Sequence, residues 1–274
     1  MILPLALALA SYHWMKAGRG SRHHRSFARI LLDIGKPDIF KSLLLLLVAT
    51  LIVVAIAFSL SRMGMVAALF GGIAFAVLAR AARRRNLSSF KLLLASLVLS
   101  ASIAVWIGAG SVVKHFAQLS HDGELTSHPT EGRLALWKDV ATLIQAHPFT
   151  GVGLGCFEFA FTRFQSSELT LTIDHAHNDY LELASELGIP ADALLLSLIF
   201  FVLFRSIAGA LRAQSHRDRS IALGAVSGVL ALLVHEAVDF NLYIPANALV
   251  FAVLLGISYS VATEQIQPSP NSGR

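Results

Sequence analysis

The sequence predicts an all-α protein, a polytopic bundle of transmembrane helices that carries one long helical segment outside the membrane. Composition is the first reason: 55% of the 274 residues are hydrophobic and only 14% are charged, whereas an ordinary soluble domain has roughly 25% charged residues. The second is that the apolar residues form six separate stretches long enough to cross a bilayer as helices. The third is that the basic residues cluster in short connections between those stretches.

The predicted spans follow one another along the chain, with a wide gap after the third. They cover residues 42–60, 63–79, 90–110, 190–206, 220–238 and 243–262. A seventh, shorter apolar stretch, "MILPLALALASYHWM", occupies residues 1–15. It has no basic residues at its start and no small-residue cleavage site before the charges that follow, so we interpret it as a shortened span rather than a signal peptide.

The basic clusters predict the topology of the chain. They lie at 16–29, 80–85 and 205–219, and placing all three on the cytoplasmic side satisfies the positive-inside rule. The net charge of +5 is therefore interpreted as a topology signal. Nucleic-acid binding is not indicated, because the basic residues are not interleaved with aromatic residues on one face.

This topology divides the chain into four parts. Residues 1–110 are predicted to form the N-terminal transmembrane helices and 111–189 a segment on the side away from the cytoplasm. Residues 190–262 form the C-terminal transmembrane helices, and 263–274 a disordered tail. The single cysteine, Cys156, excludes an intrachain disulfide.

Within the outer segment, residues 133–148 are predicted to form an amphipathic helix. Its apolar residues recur at spacings of three and four, and Pro148 follows its end. These residues are Leu134, Trp137, Val140, Ala141 and Ile144. The sequence "GVGLG" at 151–155 is a fragment of a dinucleotide-binding fingerprint, but no βαβ unit surrounds it, so we predict a turn.

A second outer helix is predicted from "DHAHNDYLELASELGIP" at 174–190. Asn178 is a good N-cap, and Gly188 followed by Pro190 closes the helix. One predicted face carries Leu181, Ala184 and Leu187, and the opposite face carries Asp179, Glu182 and Glu186. We therefore expect an amphipathic helix on the outer surface of the membrane, with two histidines at its N-terminal end.

The polar residues at the start of this second helix are candidates for a functional site. A helix N-terminus offers free N–H groups and positive partial charge, which favour an anion, and histidine relays protons near neutral pH. His177 is thus a candidate general base beside an anion site; the alternative is a polar loop with solvated histidines. The sequence His-Ala-His at 175–177 is also compatible with zinc, but no further clustered ligands join it.

Two arginines and a late pair of residues are further candidates. Arg133 lies near the start of a helix, where a cation is unfavourable by about 0.3–1 kcal/mol, and its guanidinium suits phosphate; the alternative is a solvated arginine. Arg62 lies at the outer end of two spans, where ionisable residues are often functional; the alternative is snorkelling to the interface. His235 and Asp239 lie one helical turn apart and either line one cavity or hold each other.

Four sequences, in their order along the chain, resemble the O-antigen ligase and polymerase family of bacterial envelopes. They are "SRMGMVAALFGG", "RLALWKDVATLIQAHPFTGVGLGCFEFAF", "HAHNDYLELASELGIP" and "HEAVDFNLYIPANALVFAVLLGI", and the resemblance covers about residues 42–262. It implies a polytopic glycosyltransferase of the bacterial inner membrane whose active site faces the periplasm. Segment 111–189 would then be periplasmic.

The resemblance also implies a reaction and its residues. Members of the family take a glycan from an undecaprenyl-pyrophosphate carrier; ligases pass it to lipid A-core, and polymerases pass it to another carrier-linked repeat. By motif, Arg62, Arg133 and His177 correspond to the catalytic residues. No metal or other cofactor is expected, and besides membrane lipids the partners are the donor and acceptor glycans. The expected substrate-binding residues are His175, Asn178, Asp174, His235 and Asp239, of which Asp174 and His175 are expected to orient His177.

Two features depart from the family pattern. The ligase pattern H-[NSQ]-x9-G-x-x-G ends here in Gly188-Ile189-Pro190-Ala191, with alanine in place of the last glycine, which weakens the assignment to ligase proper. Members usually have more spans than this chain offers, so we expect that N-terminal spans are lacking. The alternatives to an active transferase are a non-catalytic truncated remnant and a transporter-like protein for an anionic lipid. The transporter is disfavoured because the predicted spans are nearly free of charge.

Overall fold

The computed structural model describes residues 1–18, 35–59, 61–82, 129–166 and 173–264. These residues form nine α-helices and one 3₁₀ turn, and none of them forms a β-strand. The predicted all-α class is confirmed. The predicted span at 90–110 and residues 265–274 of the predicted tail lie outside the described residues.

The helices are numbered in chain order. They are α1 (Ile2–Gly18), α2 (Pro37–Phe58), α3 (Arg62–Ala81), α4 (Pro129–Ala146), α5 (Phe157–Phe161), α6 (Asp179–Leu187), α7 (Ile189–Arg212), α8 (His216–His235) and α9 (Pro245–Glu264), with the 3₁₀ turn Asn241–Tyr243 before α9.

Five of the described helices are long and apolar enough to cross a membrane: α2, α3, α7, α8 and α9. They correspond to five of the six predicted spans, so a polytopic membrane protein is confirmed. The helix starts have local causes. Pro37 and Asp38 suit the first turn of α2, and the Ser61 hydroxyl caps α3 by accepting the Gly64 N–H at 3.0 Å. The stretch at 1–15 also forms a helix, α1, of 17 residues.

The chain divides into two compact units. The first comprises Met1–Ala117, Leu203–Leu232 and Phe251–Arg274, and the second comprises Gln118–Val202 and Leu233–Val250. Arg62 therefore belongs to the first unit, whereas Arg133, His177 and the residues around them belong to the second.

In the first unit, α1 packs against α2 through apolar and polar contacts. Leu7 and Ala8 are fully buried in the shared core. At the cytoplasmic end predicted for these helices, Asp38 accepts hydrogen bonds from His13 at 2.9 Å and Lys16 at 3.3 Å. Further along α2, Ser42 donates to the Ala10 carbonyl at 2.9 Å. These contacts hold α1 in the unit as a packed helix.

The core of the second unit forms where α4 meets α5. Leu136, Val140 and Leu143 of α4 pack with Phe157 and Phe161 of α5. The predicted helix is confirmed, but its predicted apolar face is partly wrong, because Leu134 is 58% exposed. Two faces of α4 satisfy the apolar spacing, and the aromatic rings of α5 select the one that is buried.

Helix α6 reverses the predicted orientation of its faces. Its buried residues are Asp179, Glu182, Ser185 and Glu186, so the acidic face points inward and the expected solvent-facing carboxylates are a wrong prediction. The reason is that each carboxylate accepts hydrogen bonds from groups outside the helix, which offset the cost of burying a charge or a polar group.

The predicted turn at 151–155 is confirmed. Gly151, Gly153 and Gly155 all have positive φ values, of 61°, 103° and 73°, a conformation that glycine adopts readily. A Cβ atom on Gly151 would lie 2.2 Å from the Glu186 carbonyl oxygen. The absence of a side chain at Gly151 therefore lets this glycine turn contact the end of α6 directly.

Candidate functional site

The predicted N-cap of α6 is confirmed and also joins two segments. The Asn178 side-chain oxygen accepts the N–H groups of Tyr180 and Leu181 at 3.1 and 3.2 Å. Its amide nitrogen donates to the carbonyl of Ala237 at 2.9 Å. One side chain thus ends the loop 173–178, starts α6 and fastens both to the turn that follows α8.

The backbone repeats this connection. The Asp179 N–H donates to the carbonyls of Glu236 and Asp239 at 3.0 and 3.2 Å, and the Tyr180 hydroxyl donates to the Leu233 carbonyl at 2.7 Å. These bonds make the expectation of free N–H groups at this helix end wrong. The first N–H groups of α6 are already paired, so they are not available to hold a phosphate.

Three predicted site residues come together across this connection. Asp239 presents one carboxylate oxygen to His177 Nδ1 at 4.0 Å and the other to His235 Nε2 at 3.4 Å. Of the two readings of His235 and Asp239, the structure therefore supports direct contact. Asp239 and His177 are each about one-third exposed, so both reach the surface of the unit.

The contact between His177 and Asp239 is loose. At 4.0 Å the two side chains are within ion-pair range but beyond a formed hydrogen bond. Even so, His177 is the main influence that lowers the pKa of Asp239. His177 Nδ1 and His235 Nε2 have no hydrogen-bond partner among the described residues. A small rotation would bring the His177 ring into hydrogen-bond distance of this carboxylate, which is ionised at neutral pH.

His177 has an unusual backbone conformation. Its φ is +49°, and among the described residues no other non-glycine has a positive φ. This left-handed conformation costs about 1–2 kcal/mol for a residue with a side chain. Strain of this kind is found most often at functional sites, and the tethers of Asn178 and Asp179 hold the chain in it.

An aromatic ring separates the two histidines of the loop. His175 stacks on Phe240 with ring centroids 4.3 Å apart, and His177 meets the same ring edge-on at 5.1 Å. Phe240 follows Asp239 in the turn after α8. The two predicted polar stretches therefore form one surface, with Phe240 as its apolar wall.

The residues expected to orient His177 lie elsewhere. His175 Nδ1 pairs with the buried Glu182 at 2.7 Å, and Glu182 also accepts the Ala176 N–H at 2.7 Å. Asp174 is exposed. The carboxylate that the structure places beside His177 is instead that of Asp239, while His175 and Glu182 fasten the loop to α6.

Arg133 is brought near the same loop by α4. The Trp137 indole donates to the Ala176 carbonyl at 3.0 Å, and Arg133 precedes Trp137 by one helical turn on the same face. The positive charge of Arg133 acts on His235. No carboxylate of a described residue forms an ion pair with Arg133, so its guanidinium is available to an external anion.

A family model described as O-antigen ligase matches residues 46–196, which is more than half of the chain. The chain belongs to the O-antigen ligase family. It is therefore a membrane protein of the O-antigen ligase or polymerase type, a glycosyltransferase of polysaccharide biosynthesis. No curated protein matches the sequence. The matched region contains Arg62, Arg133 and His177 but ends before His235 and Asp239.

In this O-antigen ligase family member, a pair of buried acids lies beneath the site. The side chains of Asp179 and Glu236 hydrogen-bond to each other, and each also accepts a backbone N–H: that of Leu242 for Asp179, at 2.8 Å, and that of Asn241 for Glu236, at 3.1 Å. Burial, reinforced by Asp179, raises the pKa of Glu236 to about 10. Burial also raises the pKa of Asp179. The pair therefore retains a proton at neutral pH, held by Glu236.

A third buried acid of α6 connects the glycine turn to the 3₁₀ turn. Glu186 accepts the Tyr243 hydroxyl at 2.7 Å and the Phe157 N–H at 3.1 Å. Sequence reasoning assigned no function to Glu182, Glu186 or Glu236. A signal was nevertheless present, since α6 is flanked by two turns rich in backbone N–H groups that lack helical partners.

Metal binding was considered for the histidines of the loop. Across the part of the chain that the structure describes, no three His, Cys, Asp or Glu side chains are placed to share a metal ion. His175 and His177 are turned to different carboxylates, Glu182 and Asp239. This geometry favours acid–base chemistry over ligation.

Proposed function

We propose that this protein transfers a glycan from an undecaprenyl-pyrophosphate carrier to a sugar hydroxyl, and that the transfer takes place at the periplasmic face of the inner membrane. The acceptor is lipid A-core for a ligase and another carrier-linked glycan for a polymerase. The observation that carries the proposal is the position of His177, strained, surface-accessible and beside the ionised Asp239. It is supported by Arg133, which α4 places near the same loop.

His177 would act as the general base. Its Nδ1 faces Asp239, so in the proposed tautomer Nδ1 carries the hydrogen and Nε2 keeps a lone pair for the acceptor hydroxyl. The negative charge of Asp239 would stabilise the imidazolium that forms when His177 takes the proton, as the third group of a catalytic triad does. His235 would hold Asp239 from its other oxygen.

The proposed reaction is a single displacement with inversion. The acceptor oxygen attacks the anomeric carbon from the side opposite the pyrophosphate, and its proton passes to His177. The bond between that carbon and the pyrophosphate oxygen breaks, and both electrons leave with the pyrophosphate. Guanidinium groups would balance the developing charge without a divalent cation.

Arg133 and Arg62 are the proposed phosphate ligands. Because the N–H groups at the start of α6 are internally paired, the negative charge of the leaving group would depend on side chains. Arg62 is the first residue of α3 and lies at the end of a span away from the basic cluster at 80–85. That position suits contact with a lipid diphosphate at the membrane surface.

The periplasmic location rests on the charge pattern. Helix α7 begins at Ile189, directly after the site helix, and ends at Arg212 within the basic cluster 205–219. Positive charge favours the cytoplasmic side, so the end of α7 that bears the site would face the periplasm. We accordingly propose that segment 111–189, completed by the turn after α8, carries the active site between the transmembrane parts 1–110 and 190–262.

The test is complementation of bacterial mutants that lack O-antigen ligase or polymerase, with lipopolysaccharide banding on gels as the readout. His177→Ala and Arg133→Ala should each lower transfer at least about 100-fold, the low end of general-base effects, without loss of membrane-inserted protein. His147→Ala and Arg163→Ala are matched controls, because both side chains belong to the second unit and are exposed. Wild-type transfer by His177→Ala would refute the proposal.

A chelator arm tests the metal-free mechanism. Transfer by purified protein should survive EDTA, because the proposed phosphate ligands are arginines. Inactivation by EDTA with recovery on adding a divalent cation would contradict this part. The wild-type chain rescuing only one of the two mutant strains would identify the acceptor class.

A further inference from the structure

Three large apolar side chains protrude around the glycine turn of the second unit. Phe149 is 78% exposed, Leu154 69% and Phe159 77%. The same short segment buries Phe157 and Phe161 almost completely. Helix α5 thus divides its rings between the core and the outside. The exposed group is a patch of apolar surface that this unit does not cover.

The protruding segment is fastened to the point where the chain enters the membrane. The Ile189 N–H donates to the Pro148 carbonyl at 2.8 Å, directly before Phe149. A Cβ atom on Gly188 would lie 2.5 Å from the carbonyl carbon of Phe149. In addition, Gly153 donates to the Glu186 carbonyl at 3.0 Å. The glycine turn therefore lies against the end of α6, beside the first residue of α7.

The beginning of α7 presents a lipid-facing surface. Ile189, Leu194 and Leu198 are 51%, 62% and 54% exposed, and α7 is one of the helices apolar enough to span a bilayer. The exposed apolar surface of this span starts at Ile189, the residue bonded to Pro148. Phe149 continues that surface sideways, at the level where the bilayer interface begins.

We propose that Phe149, Leu154 and Phe159 insert into the bilayer interface and anchor the outer part of the second unit to the leaflet where α7 begins. Aromatic side chains favour this zone, and buried apolar area drives interfacial binding. The partner is the lipid of the bilayer itself. The inference goes beyond the transfer chemistry and holds or fails independently of it, since it rests only on α7 being a membrane span.

The consequence for the site is positional. The glycine turn and the site loop are fastened to opposite ends of the nine-residue helix α6. An anchored turn would hold His177 at a set height above the lipid surface, within about 14 Å at the rise of an α-helix. A lipid-linked substrate carries its diphosphate at that surface.

The single cysteine provides a probe without any substitution. Cys156 is exposed and lies between Leu154 and Phe159. The full chain, labelled at Cys156 with a nitroxide and placed in phosphatidylethanolamine–phosphatidylglycerol bilayers, should show greater collision with oxygen, which concentrates in lipid, than with an aqueous nickel chelate. The control is Cys156→Ser combined with Thr142→Cys, on the exposed polar face that Thr142 shares with Lys138 and Gln145. Its label should show the reverse preference.

A second variant tests the anchor side chains themselves. Replacing Phe149, Leu154 and Phe159 by serine should shift the Cys156 label toward aqueous collision, while helical circular dichroism is unchanged because none of the three is buried. Equal aqueous collision of the Cys156 and Thr142→Cys labels would overturn the proposal. Protection of the Cys156 label from both reagents would also overturn it, since a protein partner or a second copy would then cover the patch.

Discussion

The indole N–H of Trp137 donates a hydrogen bond to the backbone carbonyl of Ala176 at 3.0 Å. Ala176 is fully buried and immediately precedes His177. Trp137 follows Arg133 by one turn of α4. This bond therefore sets the register between the helix that carries the candidate phosphate ligand and the loop that carries the candidate base.

Replacing Trp137 by phenylalanine should separate positioning from folding. The ring is kept and the N–H donor is lost, which removes a hydrogen bond worth about 1 kcal/mol. If that energy holds Arg133 and His177 in register, glycan transfer should fall about tenfold, with little change in the melting temperature. Thr142→Val on the same helix, which removes an exposed hydroxyl, should leave transfer unchanged. Undiminished transfer by Trp137→Phe would show that the bond does not position the site.

Asp239→Asn should be far more damaging than Asp174→Asn. The neutral amide removes the charge that stabilises protonated His177, and we expect transfer to fall about 100-fold or more. Asp174 is exposed in the same loop, so its amide variant should retain transfer within a few-fold of wild type. Transfer rates in membranes containing equal amounts of each protein provide the comparison. The opposite ranking would restore Asp174 as the residue that orients His177.

Glu236→Gln should change how stability depends on pH. The pKa of Glu236 is about 10 in the folded protein and 4.5 ordinarily, so between these values the folded state holds a proton that the unfolded chain has released. The stabilisation is fully present below about pH 4.5 and is lost progressively as pH rises toward 10. Glutamine stays neutral and can still donate to Asp179. Its advantage in melting temperature over wild type should therefore increase from about pH 5 to pH 9.

The control for this comparison is Asp174→Asn, which removes an exposed carboxyl and should leave the pH dependence of the melting temperature unaltered. Melting curves in one detergent at matched ionic strength make the comparison. A constant difference between Glu236→Gln and wild type across this pH range would mean that Glu236 is ionised in the folded protein.

The spans and helix ends were predictable because they depend on short stretches of sequence. Five of the six predicted spans occur as apolar helices, and Asn178 and Gly188 cap α6 as expected. A span needs only a long enough apolar run, and a cap involves residues within one turn of one another. Neither requires knowledge of the rest of the chain.

The orientation of the helices was harder to predict. The spacing in α4 allowed a face containing Leu134 and another containing Leu136, and the rings of α5 decided between them. In α6 the acidic face was expected to meet water, since carboxylates are rarely buried. It is buried because Leu242, Tyr243 and Phe157 supply donors to it.

By itself, the sequence determined the all-α membrane class, the positions of the spans and the candidates His177 and Arg133. Hydropathy, charge asymmetry and capping act locally and leave a readable pattern. Only the tertiary structure decided that Asp239 accompanies His177, that Glu236 and Asp179 share a proton, and that Phe149 protrudes beside the start of α7. Each of these depends on which distant backbone donors and side chains meet, and hydrogen bonds between residues far apart in the chain have no periodic signature.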